Sequence, residues 1–133
     1  MKILTIRQPW ASAIFELRKD IENRTWTTKY RGKLFIHAGY YKPTELDFEN
    51  LINTIPNFTL KSIQTINNIN YIRGAILGYI TLTDIVNNSS SKWAIEGQNH
   101  WLLTNPVLLK TPVYCAGKQG LWKPDNELKN LIE

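Results

Sequence analysis

Cysteine is nearly absent from this chain. Cys115 is the sole one among 133 residues, which excludes an internal disulfide framework and a multi-cysteine zinc site. Histidine is almost as scarce. With only His37 and His100 beside Cys115, a structural metal would need carboxylates to complete its shell, so neither a metal nor another cofactor is expected. No apolar run approaches the ~20 residues that cross a bilayer, which argues against a membrane partner. The opening Met1-Lys2-Ile3-Leu4-Thr5 has no long apolar stretch of the kind a signal peptide carries, so a cytoplasmic protein is expected. Also missing are a P-loop, a dinucleotide-binding glycine pattern, HExxH and G-x-S-x-G. Those absences remove the commonest nucleotide hydrolases, dehydrogenases, zinc proteases and serine hydrolases.

Acidic residues are thin in one place. Residues 1–42 hold nine basic groups but only Glu16, Asp20 and Glu22 as acids, a local charge of +6, whereas the whole chain carries +5. The cationic excess therefore lies in the first third. A concentration of this kind suits a phosphate-binding face, because each neutralised phosphate releases condensed counterions; it also suits a merely solvated surface. Hydrophobic residues make up 43% of the chain and charged residues 20%. That mixture and length predict a single domain over residues 1–133 with one main core.

The patterning is strand-rich. Lys2–Ile6 reads as a strand, followed by a helix with Pro9 at its first position. Trp10, Ala13, Ile14 and Leu17 form its apolar stripe, and Arg18 and Lys19 close it against the negative end of the dipole. Ile21–Trp26 and Lys33–Ala38 read as strands. In the first of them, period-2 alternation puts Glu22, Arg24 and Trp26 on one face and Thr25 on the other. Residues 40–72 read as a peripheral helical insertion, with Thr44 capping one helix to about Leu51 and a second helix near Leu60–Ile66. Gly74–Val86 is a long strand with Asp84 on its inward register and Gly78 marking a bend. A helical turn is expected at Trp93–Glu96, two short strands at Asn99–Leu103 and Val107–Tyr114, and a terminal helix capped by Asp125. The sum is an α+β domain, a small mixed β-barrel with flanking helices.

The richest chemistry lies where that helix meets the next strand. Lys19, Glu22, Asn23, Arg24 and Thr25 form a cluster of unlike polar groups, with tryptophans at Trp10 and Trp26, and can line one cleft. An indole stacks on a nucleobase, a carboxylate accepts from an exocyclic amine, and cations hold phosphate. The competing reading is a surface salt-bridge group of little energetic value. Arg7 and Gln8 precede a helix N-terminus and are candidates for phosphate contact. Arg31 and Lys33 would extend a backbone-binding track. His37 and His100 read as satisfied core histidines, and Cys115 as a small core residue.

Several strings taken in order carry a resemblance. They are Leu4-Thr5-Ile6-Arg7-Gln8-Pro9-Trp10-Ala11, Lys19-Asp20-Ile21-Glu22-Asn23-Arg24-Thr25-Trp26 and Tyr30-Arg31-Gly32-Lys33-Leu34-Phe35-Ile36-His37-Ala38. Arg73-Gly74-Ala75-Ile76-Leu77-Gly78, Asn105-Pro106 and Gly117-Lys118-Gln119-Gly120-Leu121-Trp122 follow. Together they resemble the ASCH domain family and span most of the chain outside residues 40–72. The resemblance implies a PUA-like barrel and binding of RNA or a modified nucleoside, with DNA as a further option, in a cleft that holds Lys19, Glu22 and Arg24. Some relatives it implies are amidohydrolases that remove an acyl group from modified cytidine, and others are ribonucleases.

Two positions depart from that pattern. Many relatives have glycine where Leu17 stands, at the left-handed turn that ends the helix. The amidohydrolase-like relatives have threonine where Glu22 stands, and the nearest hydroxyl, Thr25, is on the other strand face. An adjacent carboxylate also holds Lys19 as an ammonium, a poorer base. The expected function is thus nucleic-acid binding through Arg7, Gln8, Lys19, Glu22, Arg24, Trp26, Arg31 and Lys33. The alternative is a metal-independent hydrolase of N4-acylated cytidine, or of RNA, using Lys19, Glu22 and Thr25. A protein-interaction module, motivated by Trp93 and Trp101 as exposed indoles, is a third option.

Overall fold

The alternating apolar residues of the first segment settle into strand β1, Lys2–Ile6, whose two faces go to different cores. The computed structural model describes residues 1–133. Leu4 and Ile6 join a large cluster with Leu34, Ile36, Ile80, Leu82 and Trp101. Ile3 joins Phe35, Ile76, Trp122 and Ile132 on the opposite face. Helix α1 (Trp10–Glu16) covers the first cluster through Ala11 and Ile14. Next come β2 (Ile21–Arg24), β3 (Gly32–Ala38), α2 (Glu45–Thr54), α3 (Leu60–Asn68), β4 (Ala75–Val86), β5 (Asn99–Tyr114), β6 (Leu121–Trp122) and α4 (Asn126–Ile132).

The six strands form one mixed sheet in the order β2-β5-β4-β3-β1-β6. β1 runs parallel to β3 and every other pair is antiparallel. The sheet curls into a half-barrel with four flanking helices, the α+β, PUA-like architecture expected. Its bend is built at Gly78. A Cβ there would stand 2.2 Å from the Val107 carbonyl oxygen and 2.9 Å from the Phe15 ring, so only glycine lets β4 and β5 approach this closely.

Several expectations need correction. β5 is one bent strand of 16 residues rather than two short ones, turning through Asn105 (φ 52°) at Asn105-Pro106. The pairing of β4 with β5 slips at three places, the last between Leu82 and Asp84. Simple alternation therefore fails there, and Asp84 is exposed instead of inward. Pro9 is the N-cap of α1, not its first helical residue, and the buried Gln8 side chain takes the Ser12 N–H at 3.0 Å.

The end of α1 also differs. Leu17 has φ −125° and packs beside the cluster of Ala13, Ile21, Leu51 and Trp93, whereas Arg18 takes the left-handed conformation at φ 57°. The N–H groups of Leu17 and Lys19 both return to the Ala13 carbonyl. An apolar side chain is thus kept against the core while an exposed arginine absorbs the reversal. Neither Arg18 nor Lys19 lies in the last helical turn, so neither acts on the dipole as expected.

Within residues 40–72, α2 starts at the expected Thr44 cap, which forms a capping box with Asp47, and extends to Thr54. Leu51 is fully buried against Ala13, Ile21 and Trp93, a contact that stabilises by about 1.5–3 kcal/mol. This segment thus joins the floor of the molecule behind α1. Asp125 caps α4 by accepting the Leu128 N–H at 2.8 Å.

Candidate nucleic-acid cleft

The chain reversal at Arg18 points Lys19 inward, and the short β2 that follows presents Glu22 and Arg24 on the same side. Lys19 is only 5% exposed and Glu22 7%. Lys19 Nζ donates to the Ile21 carbonyl and to Glu22 Oε1 at 2.8 Å. Arg24 Nε donates to Glu22 Oε2 at 2.9 Å, and its Nη2 donates to the Thr5 carbonyl at 3.0 Å. One carboxylate is therefore clamped between two cations, one oxygen to each. Burial by itself would push the Glu22 carboxyl up; the charges of Lys19 and Arg24 and their hydrogen bonds outweigh it and hold the group below its ordinary value.

The donor inventory of this clamp is not exhausted. An ammonium has three N–H bonds, two of which are used within the clamp, and the Arg24 Nη1 has no partner in the protein. Each carboxylate oxygen has further lone-pair capacity. The floor of the cleft can thus donate and accept side by side.

Above it lies a cavity of about 730 Å³. Arg7, Lys92 and Lys118 add three more cations to its lining, and Glu22 is the sole acid there. Trp10, Trp26 and Trp93 supply aromatic walls. Trp26 packs edge-on against the fully buried Trp101, with ring centroids 4.9 Å apart at 82°. The Trp101 indole N–H donates to the Trp26 carbonyl at 3.3 Å, which fixes the backbone that carries this wall. Trp93 is positioned from the far side of the sequence. Asn23 Nδ2 donates to the Trp93 carbonyl at 2.9 Å, and Asn23 Oδ1 accepts the Ile95 N–H at 2.8 Å.

Of the residues singled out from sequence, Arg7, Trp10, Lys19, Glu22, Asn23, Arg24 and Trp26 meet at this cleft. β2 ends at Arg24, so Trp26 reaches it from the following bend rather than by strand alternation. Four others lie elsewhere. Gln8 is fully buried, its amide nitrogen donating to Ser12 Oγ and the Ile72 carbonyl. Thr25 is exposed and outside the cleft lining. Arg31 binds the carbonyls of Thr28 and Tyr30 and pairs with Asp84 at 3.3 Å. Lys33 lies over the Tyr79 ring, 4.1 Å from its centroid, in a second and shallower groove beside α4.

Both histidines are in the core. His100 accepts the Ser89 N–H at Nδ1 and sits 2.7 Å from the Ile95 carbonyl at Nε2, which sets the Nε2–H tautomer. His37 bridges Thr5 Oγ1 and the Cys115 carbonyl, and burial pulls its pKa down despite that carbonyl contact. Trp93 and Trp101 are 5% and 0% exposed; as buried residues they remove the motivation for a protein-interaction module. Sequence reasoning missed Lys92 as a cleft residue and assigned Trp93 to the wrong surface. Their proximity arises from pairing of β2 with β5 (Glu22 opposite Trp101, Arg24 opposite Asn99), a long-range register with no local signal. No group of three or more His, Cys, Asp or Glu side chains is arranged to hold a metal ion. No helix is long and apolar enough to cross a membrane.

A family model of the ASCH domain matches residues 4–112. The chain is also 28% identical to activating signal cointegrator 1 of Homo sapiens and 26% identical to that of Mus musculus, in each case over 94% of this chain. It spans 22% of the length of those relatives. Lys118, at the glycine turn before β6, falls outside the matched residues yet lines the cleft.

Proposed function

This chain belongs to the ASCH domain family, and from that premise we propose that it binds RNA, or a modified nucleoside, with one base seated on the Lys19–Glu22–Arg24 clamp. The observation that carries this reading is the clamp itself. Glu22 is a buried carboxylate kept ionised, with lone pairs to spare for an exocyclic amine. Beside it, Lys19 retains an N–H for a ring nitrogen or carbonyl of the same base. A base offering an amine next to an acceptor, as cytosine does, fits that edge. Trp10, Trp26 and Trp93 supply apolar and aromatic area for its ring, and Arg7, Lys92 and Lys118 supply charge for phosphate.

The same chemistry favours binding over hydrolysis. A general base works best with a pKa near the operating pH, and Glu22 is held below even the ordinary carboxylate range. Thr25, the hydroxyl considered as a nucleophile, is outside the cleft. Glu22 in this arrangement recognises an amine better than it takes a proton.

The test is a titration of fluorescein-labelled single-stranded RNA at several salt concentrations, together with chromatography of N4-acetylcytidine incubated with the protein. Affinity should fall with salt, and Arg7→Ala and Lys118→Ala should each lower the log–log slope by about 1. Lys19→Ala should weaken binding, and N4-acetylcytidine should remain intact. Salt-independent binding, or none, would refute the binding reading. Deacylation lost in Lys19→Ala would establish the hydrolase instead.

A further inference from the structure

The rim of the cleft continues beyond the space one nucleoside fills. Arg7 lines the cleft and also lies over the Tyr41 ring, its guanidinium carbon 4.3 Å from the centroid. Tyr41 is pinned from the other end by its hydroxyl, which donates to Asp47 Oδ2 at 2.8 Å. The next aromatic, Tyr40, is 64% exposed. Exposed tyrosines usually swing freely, but this one is seated. Its carbonyl accepts from Arg73 Nη1 at 3.0 Å, and its hydroxyl approaches the Cys115 carbonyl at 3.4 Å. Its ring packs edge-on to His37 and fills the space where Gly74 has no side chain. A Cβ at Gly74 would stand 2.4 Å from Tyr40 Cε1, and the φ of Gly74 is +71°.

Arg7, Lys42 and Arg73 are exposed cations here. Asp47, whose charge acts on the Tyr41 that Arg7 covers, already has its carboxylate engaged by the Tyr41 hydroxyl and the Thr44 N–H. A seated aromatic face beside exposed cations, none of them paired with a carboxylate, and joined to a base-sized cleft by Arg7, suits a polyanion whose successive units each carry a π-face.

We infer that the ligand is a single strand of at least two nucleotides, one base in the cleft, the linking phosphate at Arg7, and the neighbouring base stacked on Tyr40. This rests on the cleft reading above and narrows it from nucleoside to strand. Stacking on a seated ring loses little ring freedom on binding, and a base on an exposed aromatic tolerates any sequence. The strand reading thus assigns selectivity to the cleft and affinity to the rim.

The experiment compares two probes. Fluorescein-labelled hexacytidylate RNA is followed by anisotropy, and cytidine 5′-monophosphate by quenching of the cleft tryptophans. Tyr40→Ala should weaken the hexamer about tenfold and leave the mononucleotide unchanged. Tyr40→Phe, which keeps the ring and loses only the long hydroxyl contact, should stay within about twofold of the parent for both. Lys19→Ala should weaken both probes. If Tyr40→Ala binds the hexamer as the parent does, while Lys19→Ala still loses it, the rim inference is wrong and the cleft reading stands. If the parent protein binds neither probe, both fall together. Equal losses for hexamer and mononucleotide in Tyr40→Ala would also overturn the inference, since the ring would then be supporting the cleft rather than a second base.

Discussion

Replacing Glu22 by glutamine removes one charge and almost no volume, and it should cost stability through Lys19 rather than through packing. Lys19 is 5% exposed and its partners are the Ile21 carbonyl and Glu22. Breaking a buried pair from one side costs about 3–5 kcal/mol, because the surviving charge is left without compensation. The glutamine oxygen still accepts a hydrogen bond, so the low end applies, about 3 kcal/mol. At about 3–4 °C per kcal/mol for a domain of this size, the melting temperature should fall by roughly 10 °C. Urea unfolding of Glu22→Gln, Lys19→Met and the double variant completes a mutant cycle. Lys19→Met alone leaves Glu22 paired with Arg24 and should cost less. The double variant strands only Arg24, whose side chain is 24% exposed and can be hydrated, so it should be more stable than Glu22→Gln.

The pH dependence has a definite sign. Glu22 has its folded-state pKa depressed by Lys19 and Arg24 against the opposing effect of burial. Its stabilisation is full above the unfolded value of about 4.3 and is lost as pH falls through the folded value. The gap between the parent and Glu22→Gln should therefore narrow from pH 7 to below pH 4. A double variant less stable than Glu22→Gln, or a gap independent of pH, would refute the reasoning.

Two further outcomes follow from the backbone and the periphery. Arg18→Gly should stabilise by up to about 1 kcal/mol, since Arg18 carries the left-handed turn, while Leu17→Gly should destabilise through lost packing on the Leu51 cluster; equal effects in thermal melts would show that the turn is misassigned. Burial, with a smaller contribution from the Glu16 charge, pushes the Tyr71 phenol up to about 12. The folded state then keeps a proton that the unfolded chain releases near pH 10, so stability should decline as pH rises from about 10 to 12. Tyr71→Phe should flatten that decline in urea melts.

The residues of the clamp were legible because they are close in sequence. Lys19, Glu22 and Arg24 lie within one reversal and one short strand, and any inward path of that reversal brings them together. The strands were legible for the same kind of reason, local alternation of apolar residues. What failed was whatever depended on register. Asp84 was placed inward by alternation that a slip between Leu82 and Asp84 breaks. Trp93 and Trp101 were read as exposed because nothing nearby in sequence covers them; Ala13, Ile21 and Leu51 do so for Trp93 and the sheet interior for Trp101. Gln8 was read as a ligand residue because polar side chains before a helix often are, whereas here its partners are Ser12 and the distant Ile72 carbonyl.

The place of β1 in the sheet has a consequence for how the protein comes into being. β1 is made before either of its neighbours: β3 lies some thirty residues on, and β6 is at Leu121–Trp122. The cleft repeats this arrangement, with Arg7 and Lys19 from the start of the chain facing Lys118 near its end. The edge strand β2, which carries Glu22 and Arg24, has β5 as its one neighbour, so the cleft is incomplete until residues 99–118 are made. Because pairings of high sequence separation close slowly, the cleft is among the last parts of the molecule to exist.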